Sequence, residues 1–224
     1  MTTFVLIPGA DGRAWYWHRL VPLLTERGHE AIAVDLPQDN SAGYAEYTGA
    51  VLEAMRGTRE PVLVAQSLAA FIAPVVAQRV PVAQIVLVNP MVPAAGETAG
   101  QWWDNVGHEQ ARGGKEFDLI GDFFHDVPEE VTAQAMAGEP GGPSDALFAE
   151  PWPLPAWPDV PTRFLQGVDD RFFPLSFQRE IAKRRLGIEV EEMPGGHLLA
   201  LSRPEELARR LAGYSGLDDQ GQAA

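Results

Sequence analysis

The sequence predicts an α/β protein built on a doubly wound, mostly parallel sheet, and three observations predict it. Short apolar runs recur along the chain, they are continuous rather than alternating, and amphipathic stretches of helical spacing separate them. Continuous apolar strands suit a parallel sheet covered on both faces, and alternation of strand with helix is the signature of the doubly wound arrangement. At 224 residues the chain is long enough for one substantial core, so a single domain is the starting expectation.

The strand candidates are Phe4–Ile7, Ala31–Val34, Val62–Val64, Ile85–Val88, Arg163–Leu165 and Ile188–Val190. Between them, Trp17, Leu20, Val21 and Leu24 share one helical face, as do Tyr44, Tyr47, Val51, Leu52 and Met55, and then Phe71, Val75 and Val76. Helices are expected again over Pro174–Leu186 and Pro204–Leu211. The rhythm breaks between Pro90 and Pro161, where Trp102, Trp103, Phe117, Phe123, Phe124, Trp152 and Trp157 lie among glycines and prolines. So long a stretch needs helices of its own, and Asp126-Val127-Pro128-Glu129 reads as a helix start with an N-cap acid and a first-turn proline. Pro151, Pro153, Pro155, Pro158 and Pro161 then mark an extended return to the sheet. The expected layout is a core of residues 1–90 and 161–217, a mainly helical cap over 91–160 and a flexible tail over 218–224.

Composition narrows the function. The formal charge of −14 opposes binding to nucleic acid, and Lys183-Arg184-Arg185 reads as a solvated helix face. No apolar stretch approaches the roughly 20 residues of a membrane span, and the start carries no signal-peptide pattern, so a soluble, cytoplasmic protein is expected. With no cysteine, disulfides, thiolate nucleophiles and cysteine-ligated metals are excluded. His18, His29, His108, His125 and His197 show no HExxH or HxH spacing, so no metal is expected.

Four segments carry chemistry. In Ala65-Gln66-Ser67-Leu68-Ala69 a buried strand stops at a serine with an alanine two places away on each side. A serine on a sharp strand-to-helix turn exposes its hydroxyl at the carboxyl edge of the sheet, and so tight a turn demands small neighbours. A plain helix N-cap is the simpler reading of that serine alone. Gln166-Gly167-Val168-Asp169-Asp170 puts two acids after a strand, either able to hold a histidine ring in its useful tautomer or merely to cap the next helix. Met193-Pro194-Gly195-Gly196-His197 sets a histidine after a glycine pair, following the last strand. Parallel strands deliver such loops to one common edge, and the order Ser, Asp, His along the chain suits Ser67 as nucleophile and His197 as base. Lastly, Pro8-Gly9-Ala10-Asp11-Gly12 ends the first strand in a glycine-containing turn, from which the Ala10 amide, with that of Leu68, would form an oxyanion hole. Neither GxGxxG nor GxxxxGK[ST] is present, which disfavours nucleotide binding.

With these motifs in view the chain resembles the α/β-hydrolase superfamily, and within it the cofactor-free esterases and hydroxynitrile lyases of the plant methylesterase type, over nearly its whole length. Pro8-Gly9-Ala10 and Trp15-Tyr16-Trp17 match that family's first motif except at its histidine. Gly167, Asp170 and Pro174 fit its GxxDxxxP acid loop, which favours Asp170 and leaves Asp169 as the alternative, and Gly196-His197-Leu198 fits its histidine loop. In place of the family's two elbow glycines stand Ala65 and Ala69. The resemblance implies an α/β-hydrolase fold and a carboxylic ester hydrolase that needs no cofactor, with Ser67, His197 and Asp170 as its triad. Trp15, Phe71, Met91, Trp102, Trp103 and Leu198 are the candidates for an apolar pocket taking a small to medium ester. A homodimer is compatible with this reading. The same site could instead run lyase-type general-base chemistry, or serve a binding protein on a hydrolase scaffold.

Overall fold

The computed structural model describes residues 1–138 and 141–214. The expected flexible tail, 218–224, lies outside the described residues. Six strands, β1 (Thr3–Ile7), β2 (Glu30–Ala33), β3 (Val62–Gln66), β4 (Gln84–Val88), β5 (Thr162–Gly167) and β6 (Val190–Met193), form one sheet in the order β2-β1-β3-β4-β5-β6. Every pairing is parallel, with Ile7 opposite Ala65 and Gln66 opposite Val88. All five residues of β3 are buried, which is why the run from Val62 to Ala65 is apolar without alternation.

Helices α1 (Leu20–Glu26), α2 (Tyr44–Ala54) and α3 (Ala73–Ala77) follow the first three strands. Two three-residue-per-turn segments, Ala14–Trp17 and Ser67–Phe71, precede α1 and α3. Trp17 therefore belongs to a short turn rather than to α1. Between β4 and β5 lie α4 (Ala99–Val106), α5 (His108–Ala111), a π-helical turn over Ile120–Phe124, α6 (Glu129–Ala137) and α7 (Asp145–Ala149), with an irregular return through the proline-rich segment. The insertion is mainly helical. After β5 come α8 (Leu175–Leu186), α9 (Leu199–Ser202) and α10 (Pro204–Tyr214).

The sheet separates two cores. On one face Val5, Leu63, Ala65, Ile85 and Leu87 pack with α2, α3 and the insertion; on the other Phe4, Leu6, Val64, Val86 and Leu165 pack with α1 and α10. The strand order reverses direction beside β1, so the helices that follow β1 and β3 pack on opposite faces of the sheet while the loops leading to them meet at its carboxyl edge.

Three local expectations are corrected. The last strand is Val190–Met193, not Ile188–Val190, because the register sets Val190 against Phe164 and Met193 against Gly167. As an edge strand with one neighbour, β6 tolerates Glu191 and Glu192, which pair with Arg163 and Arg179. Arg185 is no part of a solvated face, since its guanidinium is nearly buried against Glu97. Asp126 does not cap a helix: α6 starts at Glu129 with no side-chain cap, and the Asp126 carboxylate reaches the histidine loop instead.

Candidate active site

Ser67 sits where β3 ends, at φ +53°, a left-handed conformation that a non-glycine residue rarely adopts. The strain turns the chain sharply, and the Ser67 carbonyl is then tied down by the Met91 N–H at 3.0 Å. Ala65 and Ala69 are buried at 0% and 1% exposure, so these positions hold methyl groups and little more. Gln66 locks the neighbouring loop, its Oε1 accepting the Gly9 N–H at 3.0 Å. A side chain at Gly9 would meet Gln66 Oε1 at 2.5 Å and Ser67 Cβ at 3.1 Å, so it would displace the Gln66 amide from the Gly9 N–H and crowd Ser67. Neither the Ala10 nor the Leu68 N–H donates a hydrogen bond among the described residues.

His197 is 2% exposed, and its Nδ1 lies 2.9 Å from Asp170 Oδ2. A carboxylate at Nδ1 sets the neutral ring as the Nδ1–H tautomer and leaves Nε2 as acceptor. The acid is itself held in place. Asp170 Oδ1 accepts the N–H groups of Phe172 at 2.8 Å and Phe173 at 2.9 Å, and Gln166 Nε2 approaches Oδ2 at 3.3 Å. Asp169, by contrast, is exposed and accepts from the Gly195 N–H at 3.2 Å. Beneath both loops lies Asn89, fully buried and at φ +46°. Its Oδ1 accepts from Gly167 N–H at 2.7 Å, while its Nδ2 donates to the carbonyls of Gly196 at 3.0 Å and His197 at 2.8 Å.

Ser67, His197 and Gln66 line one cavity with Ala10 and Asp11, and Tyr16, Phe123 and Leu198 give it an aromatic and aliphatic wall. Phe123 comes from the π-helical turn of the insertion and stacks on the His197 ring at 4.5 Å and 16°, while Phe172 and Phe173 meet that ring edge-on. Burial raises the Asp11 carboxyl above its ordinary value, with Arg13 at 3.7 Å opposing. Burial and the nearby Asp11 push the Tyr16 hydroxyl up to about 12. The phenol therefore stays neutral at working pH.

Of the residues expected to line a pocket, Leu198 does so. Trp15 sits beside the cavity, its ring against Tyr16 and His18, on the wall of an adjoining depression. Phe71, Met91 and Trp102 are buried in the core, and Trp102 Nε1 donates to the Val92 carbonyl at 2.9 Å. Trp103 packs on His108 and Phe172. The cavity is thus walled by Tyr16 and Phe123 rather than by the insertion's tryptophans. Tyr16 and Gln66 lie inside the sequence motifs but carry no role there, Asn89 belongs to none of them, and Phe123 is one aromatic among several in the insertion. Among the described residues no group of three or more His, Asp or Glu is placed to hold a metal ion, and no helix is long and apolar enough to cross a membrane.

Residues 4–210 match the model of the alpha/beta hydrolase family. The chain is 26% identical to the rice protein "Probable esterase PIR7A", from Oryza sativa subsp. indica and from subsp. japonica, over 91% of this chain and 93% of the relative. Among solved structures, polyneuridine aldehyde esterase superposes with a TM-score of 0.78 at 20% identity, covering 96% of this chain and 99% of that one. A pyrethroid hydrolase from Sphingobium faniae JZ-2 superposes with a TM-score of 0.74 at 24% identity, covering 95% and 96%. A variant of tomato methylketone synthase I in complex with β-ketoheptanoate gives 0.75 at 18%, covering 96% and 97%. At these identities the structural likeness speaks for the fold, and the family match over most of the chain speaks for descent. The chain belongs to the alpha/beta hydrolase family, as an esterase-like member.

Proposed function

We propose that this protein is a carboxylic ester hydrolase working through an acyl-enzyme, with Ser67 as nucleophile, His197 as general base and Asp170 as the residue that orients it. The observation that carries the reading is the His197 Nδ1 to Asp170 Oδ2 hydrogen bond of 2.9 Å in a ring that lines the same cavity as the strained Ser67. The rice relative's name supports ester cleavage.

In this mechanism Ser67 Oγ passes its proton to His197 Nε2 as it attacks the ester carbonyl. Asp170 stabilises the imidazolium, and the Ala10 and Leu68 N–H groups receive the oxyanion; one such donor is commonly worth about 3 kcal/mol. His197 then protonates the leaving alcohol, and a water activated by the same ring releases the acid from Ser67. No cofactor enters these steps. The Tyr16, Phe123 and Leu198 wall favours a small to medium apolar ester.

Intact-protein mass after incubation with a fluorophosphonate tests the reading without a guessed substrate. A single adduct on the native chain, lost in Ser67→Ala, is the expected result, followed by turnover of p-nitrophenyl esters. A folded native chain that takes up no label would remove the acyl-enzyme mechanism.

A further inference from the structure

The backbone on which His197 rides is held by side chains from three separate parts of the chain. The Gly195 N–H donates to Asp169 Oδ2 at 3.2 Å, the Gly196 N–H donates to Asp126 Oδ2 at 2.7 Å, and the Gly196 and His197 carbonyls accept from Asn89 Nδ2. Asn89 and Asp169 follow strands β4 and β5. Asp126 alone belongs to the insertion, three residues beyond the Phe123 that stacks on the imidazole.

This contact gives Asp126 a use other than the one its local pattern suggests. Asp126 stands where the sequence pattern puts a cap for α6, yet α6 opens without a side-chain cap. Asp126 Oδ1 and His125 Nε2 are buried beside the Gly196 peptide without a hydrogen-bond partner among the described residues. The fit around residue 196 is tight. A Cβ on Gly196 would fall 2.6 Å from both Asp126 Oδ1 and His125 Nε2.

We propose that Asp126 is a positioning residue through which the insertion sets the orientation of the His197 ring. Its bond to the peptide immediately preceding His197 and the Phe123 stack on the ring face come from one short stretch, so the base is fully aligned with Asp170 only when the insertion is seated. This rests on the reading of His197 as the base.

The test measures three quantities on the full chain: the rate of fluorophosphonate labelling of Ser67, the downfield proton NMR resonance of the His197–Asp170 hydrogen bond, and the melting temperature. Asp126→Ala is expected to slow labelling about 10- to 100-fold, since displacements of an ångström cost rates of that order, and to broaden the resonance. Asp126→Asn keeps an oxygen acceptor and is expected to recover most of the rate and the resonance. Gly196→Ala breaks the same contact from the other side and serves should Asp126→Ala fail to fold. In the double variant the two losses should not add. A folded Asp126→Ala that labels at the parent rate with its resonance intact overturns the proposal, as does an Asp126→Asn as impaired as the alanine. A parent chain that shows the resonance but takes no label overturns the hydrolase reading instead, and the resonance of the variants then decides the role of Asp126.

Discussion

At the scale of single residues, the site depends on strain and on hydrogen bonds that no neighbour in sequence supplies. Ser67 at φ +53° and Asn89 at φ +46° each hold an unfavourable backbone, at a cost of order 1–3 kcal/mol, and each sits where the chain must turn into the site. The two adjacent acids illustrate how little separation in sequence is needed for different roles. Asp170 is 5% exposed and holds the His197 ring, whereas Asp169 is exposed and holds the Gly195 peptide. Asp170→Asn is therefore expected to lower turnover of a p-nitrophenyl ester by about 10⁴-fold, because the amide favours the wrong tautomer of the ring. Asp169→Asn keeps an acceptor for Gly195 and should stay within about tenfold of the parent. Steady-state kinetics of the two variants side by side would reverse the assignment if the ranking inverted.

At the scale of elements, the insertion is anchored at its base by a buried ion pair. Arg185 of α8 reaches Glu97, which leads into α4, and Asn105 and the Ala94 N–H share the carboxylate. Burial works to raise the Glu97 pKa, but the hydrogen bonds from Arg185 and Asn105 outweigh it and hold the group below its ordinary value. A folded-state pKa below the unfolded one stabilises the fold above the ordinary glutamate value, and the stabilisation drains away as pH falls through that value towards the depressed one. Urea unfolding followed from neutral pH downward should show this loss in the parent, and Glu97→Gln should show less of it. Arg185→Ala leaves a carboxylate buried without its cation and is expected to cost about 3–5 kcal/mol. An unchanged urea midpoint in Arg185→Ala would remove the pair from any anchoring role.

At the scale of the whole molecule, a six-stranded parallel sheet covered on both faces predicts that central and edge strands respond differently to truncation. Leu87 in β4 is fully buried, and Leu87→Ala should cost about 2–5 kcal/mol. Val190 in the edge strand β6 is only partly buried, and Val190→Ala should cost about 1 kcal/mol or less. Equal urea midpoints for the two variants would contradict that gradient. The sheet order also locates the cavity, because the loops after β1 and β3 meet at the reversal and line it together beside Ser67.

The fold class was legible because a strand buried on both faces carries a continuous apolar run, and four consecutive residues of each of β1, β3 and β4 are apolar. The segments bearing Ser67, Asp170 and His197 were legible because each motif lies just after a strand, and parallel strands bring their carboxyl ends together. The limits of β6 were not, since an edge strand carries glutamates as readily as valines and only its pairing with β5 sets its register. Nor was the use of Asp126, whose local pattern says helix cap while its carboxylate serves Gly196, 70 positions away. The same holds for the cavity wall, where Phe123 and Tyr16 face the site while Trp102 is sealed in the core. What the sequence determined by itself is what local periodicity and motif spacing encode: the strands, most helices and the residue types at the sheet edge. Which side chains meet across the insertion and the histidine loop was decided by tertiary packing alone, because contacts between distant segments leave no periodic mark on either.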